Sequence, residues 1–478
     1  MIERVHQILE DSAQRWPDHP AIIDERGSIS FQELWNHTQL LKKQLQKTGL
    51  SKGQGLGVMQ RNSRVFVASM FAGMACDATV LPLSHQLKQA ELDDILRETG
   101  LHAVLCDGSS NVSVAKASTR VKFQDQELNL SWTDVLAQKP IVDGIDAAFI
   151  RFTSGTTGQS KGVVLSHQRV IERVESARAA LNITHNDVVL WVLPMAFHFL
   201  VTIILYVYQG ATIVIAENIL AQTLITTANK YDATFLYAAP LHYRMLAVDQ
   251  SGVMMNTVRR AISTSSAIPN EIANAFTKRF GLPVIQAYGI IEAGLPIVDN
   301  APDFASPETV GRPAPGFDIG ILDPKNQLVE AGQMGRLAIR GPGLFNAYLQ
   351  PYQLSSKIME NGWFMTGDLA RKNANEKIII CGREKSMINV SGNKAFPEEI
   401  EVVLNGYPDI EDSRVFGQPH PLMGEIVCAE VCMTIGKTLD VERVLRFCRQ
   451  QLSTYKVPQR LFQVSHISCT QSGKVRRD

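Results

Sequence analysis

Residues 152–162 read Phe152-Thr153-Ser154-Gly155-Thr156-Thr157-Gly158-Gln159-Ser160-Lys161-Gly162. Residue types suited to holding an oxyanion are dense here. Gly155, Gly158 and Gly162 let backbone N–H groups approach without a Cβ in the way. Thr153, Ser154, Thr156 and Thr157 add hydroxyls, and Lys161 adds a positive charge. The chemistry this predicts is phosphate binding. An apolar run, Ala147-Ala148-Phe149-Ile150, precedes the segment as an expected strand, and Val163 to Leu181 reads as a helix. Strand, glycine loop and helix in that order would set the anion at a helix N-terminus. A Walker loop is excluded by spacing, since it needs glycine directly before the lysine and Ser or Thr directly after. Here Lys161 stands between Ser160 and Gly162. Read by composition alone, the run is a solvated surface loop.

Other stretches carry chemistry of the same kind. Tyr288-Gly289-Ile290-Ile291-Glu292 follows an expected strand from Leu282, at the carboxyl end where open α/β sheets bind ligands. A tyrosine there can stack on a purine, and a glutamate can hold a magnesium ion that bridges phosphates. The other reading is an ordinary strand-to-helix turn. Trp363-Phe364-Met365-Thr366-Gly367-Asp368 is followed by Gly382-Arg383. A carboxylate can accept from both hydroxyls of a ribose and a guanidinium can donate to the same sugar. The alternative is a surface ion pair of little energetic weight. Gln471-Ser472-Gly473-Lys474-Val475-Arg476-Arg477 is by itself a basic tail.

Together these motifs resemble the adenylate-forming superfamily, which includes acyl- and aryl-CoA ligases, peptide-synthetase adenylation domains and luciferase. The family's phosphate loop is Thr-Ser-Gly-Thr-Thr-Gly-x-Pro-Lys-Gly, and only Ser160 departs from it. The family carries Tyr-Gly-x-Thr-Glu where this chain has Ile291 in place of the threonine. Tyr455-Lys456-Val457-Pro458 and Gly424-Glu425 also match the family's C-terminal part. The resemblance implies ATP and Mg2+ as cofactors. It implies Lys474, Glu292 and Lys161 as catalytic residues, with Glu292 and Thr153 at the metal. Nucleotide binding falls to Thr153, Ser154, Gly155, Thr156, Thr157, Gly158, Ser265, Ser266, Ala287, Tyr288, Gly289, Asp368 and Arg383. The acid would lie against Phe197, His198, Ala239 and Gly289. Amino-acid-activating members usually place an aspartate near this wall, and none stands beside Phe197-His198.

The reaction implied is formation of an acyl-adenylate from a small-molecule carboxylic acid. Transfer to a thiol follows, either of coenzyme A or of the phosphopantetheine arm of an acyl or peptidyl carrier protein. Phe199 to Leu205 and Tyr237-Ala238-Ala239 suggest an apolar, medium- or long-chain fatty acid. An aryl acid is the alternative, and a weakly active adenylate-binding sensor or scaffold is an alternative of another class. The resemblance divides the chain into 1–384, which would bind ATP and acid, and a mobile 385–478 carrying Lys474. Lys385 would be the hinge, and a thiol tunnel would pass near Gly392.

The elements needed to position these residues are legible as a periodicity. Val5, Ile8 and Leu9 begin a helix closed by Trp16-Pro17, and Ala21–Asp24 with Ser28–Phe31 form a hairpin. A helix runs from Phe31 to about Leu50, with Leu34, Leu40, Leu41 and Leu45 on its apolar side. Strand signals at Gly55–Met59, Ala78–Leu83 and His102–Cys106 alternate with helical ones. Ser109 to Ile145 is polar and poorly periodic, and reads as partly irregular. The fold class expected is α/β: a large N-terminal domain of parallel-rich sheets flanked by helices, plus a small mobile α+β C-terminal domain.

Bulk properties agree. At 478 residues more than one core is expected. Lys plus Arg and Asp plus Glu each total 47, so no net field points to nucleic acid. Seven scattered cysteines fit reduced thiols and a cytoplasmic location better than a disulfide framework or metal cluster. Met1 to Val5 reads as the opening of an amphipathic helix with acidic residues, so no signal peptide is expected. The longest apolar run, Phe199 to Tyr208, falls short of the roughly 20 residues of a membrane span, so no integral membrane segment is expected.

Overall fold

The computed structural model describes residues 2–108, 112, 115, 117–133, 142, 144–152, 162–299, 307–391, 393–469 and 475. Thr153 to Lys161, Gly392 and Lys474 therefore lie outside the described residues. One nine-stranded sheet runs in the order Arg312–Pro313, Gly294–Val298, Val284–Ile290, Arg260–Ser263, Phe235–Ala238, Val188–Trp191, Thr212–Ile215, Pro20–Asp24, Gly27–Ser30. From Val284–Ile290 through Pro20–Asp24 every pairing is parallel. A second nine-stranded sheet has the parallel strands Ala147–Phe152, Thr79–Leu83, Gly55–Met59 and Ala103–Asp107 at its centre. Parallel strands buried on both faces need helical cover. Arg64–Ala75 supplies it: all of its positions are buried, and it touches strands of both sheets. His167–Leu181 does the same.

A four-stranded antiparallel sheet follows, in the order Asp318–Leu322, Gly335–Arg340, Phe364–Lys372, Ile378–Arg383. Beyond it, Ile388–Val390, Asn393–Ala395, Ile410–His420, Gly424–Met433 and Arg460–Val464 form a sheet covered by Pro397–Asn405 and Val441–Gln451. Its apolar residues make a core of their own. The large and small parts meet through Arg244, whose guanidinium donates to the carbonyls of Asn405 at 2.7 Å and of Ile410 and Glu411 at 3.1 Å.

The structure corrects the sequence reading in several places. Val163 to Leu181 is not one helix. Gly162–Ser166 is a strand, antiparallel to Ala147–Phe152, and the helix starts only at His167. Val163, Val164 and Leu165 are all buried between Ala147–Phe152 and Ala347–Tyr348, a site that suits β-branched side chains. The segment rich in Gly, Ser and Thr thus joins two strands of a hairpin. The N-terminus of the helix is capped instead by Ser166, whose hydroxyl accepts from the Arg169 N–H at 3.3 Å. Gly162 is required for close packing, because a Cβ there would come within 2.9 Å of the Leu349 Cβ. Within Ser109–Ile145, Ala117–Phe123 and Gln126–Trp132 form a regular hairpin at the sheet edge. Their polar side chains face outward there, which is why the stretch read as irregular. Leu40, expected on the apolar side of its helix, is 53% exposed.

His167 ties the N-terminus to this frame. Its Nδ1 accepts from the Val5 N–H at 3.1 Å, and the Arg4 guanidinium lies 3.2 Å from Nε2. Burial first, and Arg4 second, push its pKa down from 6.5 to about 4. The unfolded chain therefore takes up a proton that the folded one refuses, and stability falls as pH drops from 6.5 towards about 4. Melting temperature should decline between about pH 7 and pH 5, and His167→Asn should flatten that decline. A variant with an unaltered pH slope would assign the acid sensitivity elsewhere.

Candidate active site

Four neighbouring parallel strands, Val188–Trp191, Phe235–Ala238, Arg260–Ser263 and Val284–Ile290, end on one edge. Phe197 and His198, Ala239, Ser265 and Ser266, and Ala287 to Gly289 all lie at or just beyond these ends, so the topology brings the expected acid-site and nucleotide-site residues side by side. Ser265 holds a φ of +76°, Ser266 and Gly289 are exposed, and Ala287 is buried.

Tyr288 reaches from this edge to the antiparallel sheet, where its hydroxyl donates to the Asp368 carboxylate. Asp368 sits on Phe364–Lys372, directly opposite Arg383 on Ile378–Arg383, and Arg383 Nε lies 3.0 Å from the other carboxylate oxygen. Asp368 is 5% exposed, so the carboxylate is withdrawn from solvent, while the Arg383 side chain is 40% exposed. Burial and the adjacent carboxylate raise the Tyr288 hydroxyl well above its ordinary range. Burial alone would lower the Arg383 pKa, but Asp368 outweighs it and the guanidinium stays charged. Each carboxylate oxygen keeps a second lone-pair direction, so the group can still accept from a ligand.

Glu292 occupies a tight turn between Val284–Ile290 and the antiparallel Gly294–Val298, not the start of a helix. Tyr348 donates its hydroxyl to Glu292 Oε1 at 3.0 Å. The backbone of the turn is held by Arg173, which donates to the carbonyls of Ile291 at 2.7 Å, Glu292 at 2.6 Å and Gly343. Burial pushes the Arg173 pKa down to about 9, which still leaves it cationic near neutrality. Gly343 must be glycine at this contact: its φ is +66° and a Cβ would meet Arg173 Cγ at 2.4 Å. Neither Arg173 nor Tyr348 was anticipated. The available signal was a charge at position 173 within the buried stripe of Val170, Val174 and Ala177.

On the acid side, the His198 ring stands edge-on to Trp191 and Tyr237, with centroids at 5.8 and 6.3 Å. Trp191 and Tyr237 stack at 6.1 Å. Ala239 is the single residue between Phe235–Ala238 and the helix Pro240–Ala247. The Arg151 guanidinium donates to the Phe197 carbonyl and lies over the Phe197 ring. The run Phe199 to Leu205 belongs to the main core, where Phe199 packs against Phe66 and Phe71. Lys385 is exposed in the short helical turn Glu384–Ser386, at the passage from the antiparallel sheet to the small part.

Residues 9–349 match the AMP-binding enzyme family, and residues 399–474 match the AMP-binding enzyme C-terminal domain. The chain belongs to the AMP-binding enzyme family. It is similar to the oxalate–CoA ligase of Arabidopsis thaliana, at 26% identity over 500 residues, with 98% of this chain and 96% of that protein covered. It is also similar to a long-chain-fatty-acid–CoA ligase of Yersinia pestis, at 25% identity with 98% and 92% covered. ATP-bound MatB from Rhodopseudomonas palustris shares the fold, with a TM-score of 0.86 at 24% identity over 100% of this chain and 97% of that one. The α/β class and the division into a large N-terminal and a small C-terminal part hold as expected. So does its membership among AMP-binding, adenylate-forming enzymes. No helix among the described residues is long and apolar enough to cross a membrane.

Proposed function

We propose that the protein activates a carboxylic acid with ATP as an acyl-adenylate and passes the acyl group to the thiol of coenzyme A. The observation that carries this is the buried Asp368, held by Arg383 and Tyr288 beside the Glu292 turn. In the first step a carboxylate oxygen bonds to the α-phosphorus and the bond to pyrophosphate breaks. Charge builds on phosphoryl oxygens, so the protein's work is positioning and electrostatic stabilisation. Asp368 accepts from the ribose hydroxyls and Arg383 donates to them, while Tyr288 offers its ring face to adenine. Ser265, Ser266, Ala287 and Gly289 border the nucleotide. Thr153, Ser154, Gly155, Thr156, Thr157, Gly158 and Lys161 supply donors to the phosphates, and Lys474 neutralises the developing charge.

Mg2+ fits this arrangement through Glu292. Its Oε1 is engaged by Tyr348, and Oε2 takes no bond from any described residue. Among the described residues no three carboxylate, histidine or cysteine groups cluster as a metal cage. That suits an ion held by one carboxylate and the phosphates, with Thr153 the second protein ligand. When bound, Mg2+ would draw charge from the phosphate oxygens. Ile291 cannot donate where the family has a hydroxyl. Ile291→Thr should lower the Michaelis constant for ATP by about 2- to 10-fold, the worth of one hydrogen bond. A raised value would show that the alkyl group is accommodated by other contacts.

The domain limit at 384/385, with Lys385 as hinge, belongs to this reading. Its exposed position between two separate sheets favours it. Coenzyme A is favoured over a carrier protein because the relatives named above are CoA ligases. The acids in their names run from oxalate to long-chain fatty acids. Core packing of Phe199 to Leu205 weakens the case for a long apolar chain. The ring cluster of Trp191, His198 and Tyr237 favours a compact or flat acid. ATP–pyrophosphate exchange over short, long-chain and aryl acids tests the reading, with thioester formation from coenzyme A as the second stage. AMP binding without exchange on any acid would make the chain an adenylate-binding sensor or scaffold instead.

A further inference from the structure

Arg151 is the last residue but one of the strand Ala147–Phe152 and follows directly on the buried Ala147 to Ile150. It is partly buried. Two arginines buried still more deeply have their charge or donors engaged. Arg64 faces Asp24, with side-chain exposures of 3% and 6%, and Arg173 spends its donors on three carbonyls. Among the described residues Arg151 makes one hydrogen bond, to the Phe197 carbonyl, and its Cζ stands 5.2 Å from the centre of the Phe197 ring. Its Nε is buried without a partner. No described carboxylate forms an ion pair with it, although it feels the charge of Glu292. A guanidinium has five donors in a planar fork that matches an oxyanion, and a buried cation without a counter-ion is costly. Among the described residues no anion pairs with it at contact distance, and it stands beside the residue expected to wall the acid pocket.

We propose that Arg151 binds a second anionic group on the acid, so that the protein prefers a dicarboxylate, or a carboxylate bearing a sulfonate, to a plain monocarboxylate. This rests on the reading above that the acid lies against Phe197 and His198. The Phe197 carbonyl and ring fix the guanidinium's plane, leaving its remaining edge to meet the acid end opposite the reacting carboxylate. A phosphate of ATP is the other anion within the same site, and the experiment separates the two.

ATP–pyrophosphate exchange is measured for acid pairs matched in length: malonate against propionate, succinate against butyrate, glutarate against valerate. The wild-type protein should favour the dianion at one of these lengths. In Arg151→Gln, which keeps a donor for the Phe197 carbonyl, the dianion-to-monoanion ratio of kcat/KM should fall by about 10- to 100-fold, the worth of a charge-assisted hydrogen bond. Arg151→Lys should retain part of the preference, and melting temperatures check that both variants fold. Should the glutamine variant not fold, the wild-type ratio and the lysine variant still decide. Exchange with monoanions and no preference for dianions overturns this inference alone. An Arg151→Gln loss that is equal for all acids and appears as a raised KM for ATP assigns the residue to phosphate and overturns it too. No exchange with any acid defeats the ligase reading and this inference with it.

Discussion

Lys474→Ala should slow acyl-adenylate formation by about 10²- to 10³-fold, the scale found when one preorganised donor to a developing negative charge is removed. Lysine offers a compact charge on a flexible stem, suited to meeting the α-phosphate only as charge accumulates there. Nucleotide affinity should change little for that reason. The second half-reaction does not pass through this charge, so thioester formation from a presynthesised acyl-adenylate should persist. Pyrophosphate exchange reads the first step and thioester release from added adenylate the second. Wild-type exchange in the variant would remove Lys474 from the mechanism. An equal loss in both steps would point to a general disturbance of the small part.

Asp368→Ala should weaken AMP binding by roughly 10²-fold or more, since charge-assisted hydrogen bonds to two ribose hydroxyls are lost together. Arg383 and the Tyr288 hydroxyl also lose their shared acceptor. Asp368→Asn separates the two effects. It preserves volume and one acceptor, so it should fold like the parent while still binding AMP poorly. Calorimetric titration with AMP, beside thermal melting, distinguishes the outcomes. Normal AMP affinity in a folded asparagine variant would reduce the constellation to a brace between the Tyr288 strand and the antiparallel sheet.

The candidate site was legible where its chemistry restricts residue type. A carboxylate at 368 and a guanidinium at 383 stood out in sequence, and the structure pairs them across adjacent strands in direct register. The link from the Tyr288 hydroxyl to that carboxylate was not legible, because it depends on how two separate sheets approach. Strands such as Gly55–Met59 were readable to the residue since their period and turn signals are local. Gly162–Ser166 was not, because a short apolar run before a helix resembles the helix's own first turn until its strand partners are known. Arg151 and Arg173 escaped for the opposite reason. Each is a charge within an apolar stretch; three carbonyls explain why Arg173 is tolerated there, whereas Arg151 has one.

Arg244 carries a consequence for motion. It donates across the boundary between the large and small parts to carbonyls at the end of Pro397–Asn405 and at the start of Ile410–His420. A turn of the small part about Lys385 must first release these contacts, each worth about 0.5–1.5 kcal/mol net or somewhat more for a charged donor. The side chain thus acts as a latch that favours the present orientation by a few kcal/mol. Its hydrogen-bond acceptors are backbone atoms, which do not titrate, while the nearby carboxylates of Asp412 and Glu411 add attraction for its charge. If the small part turns about Lys385 as proposed, each such turn would have to break these three contacts.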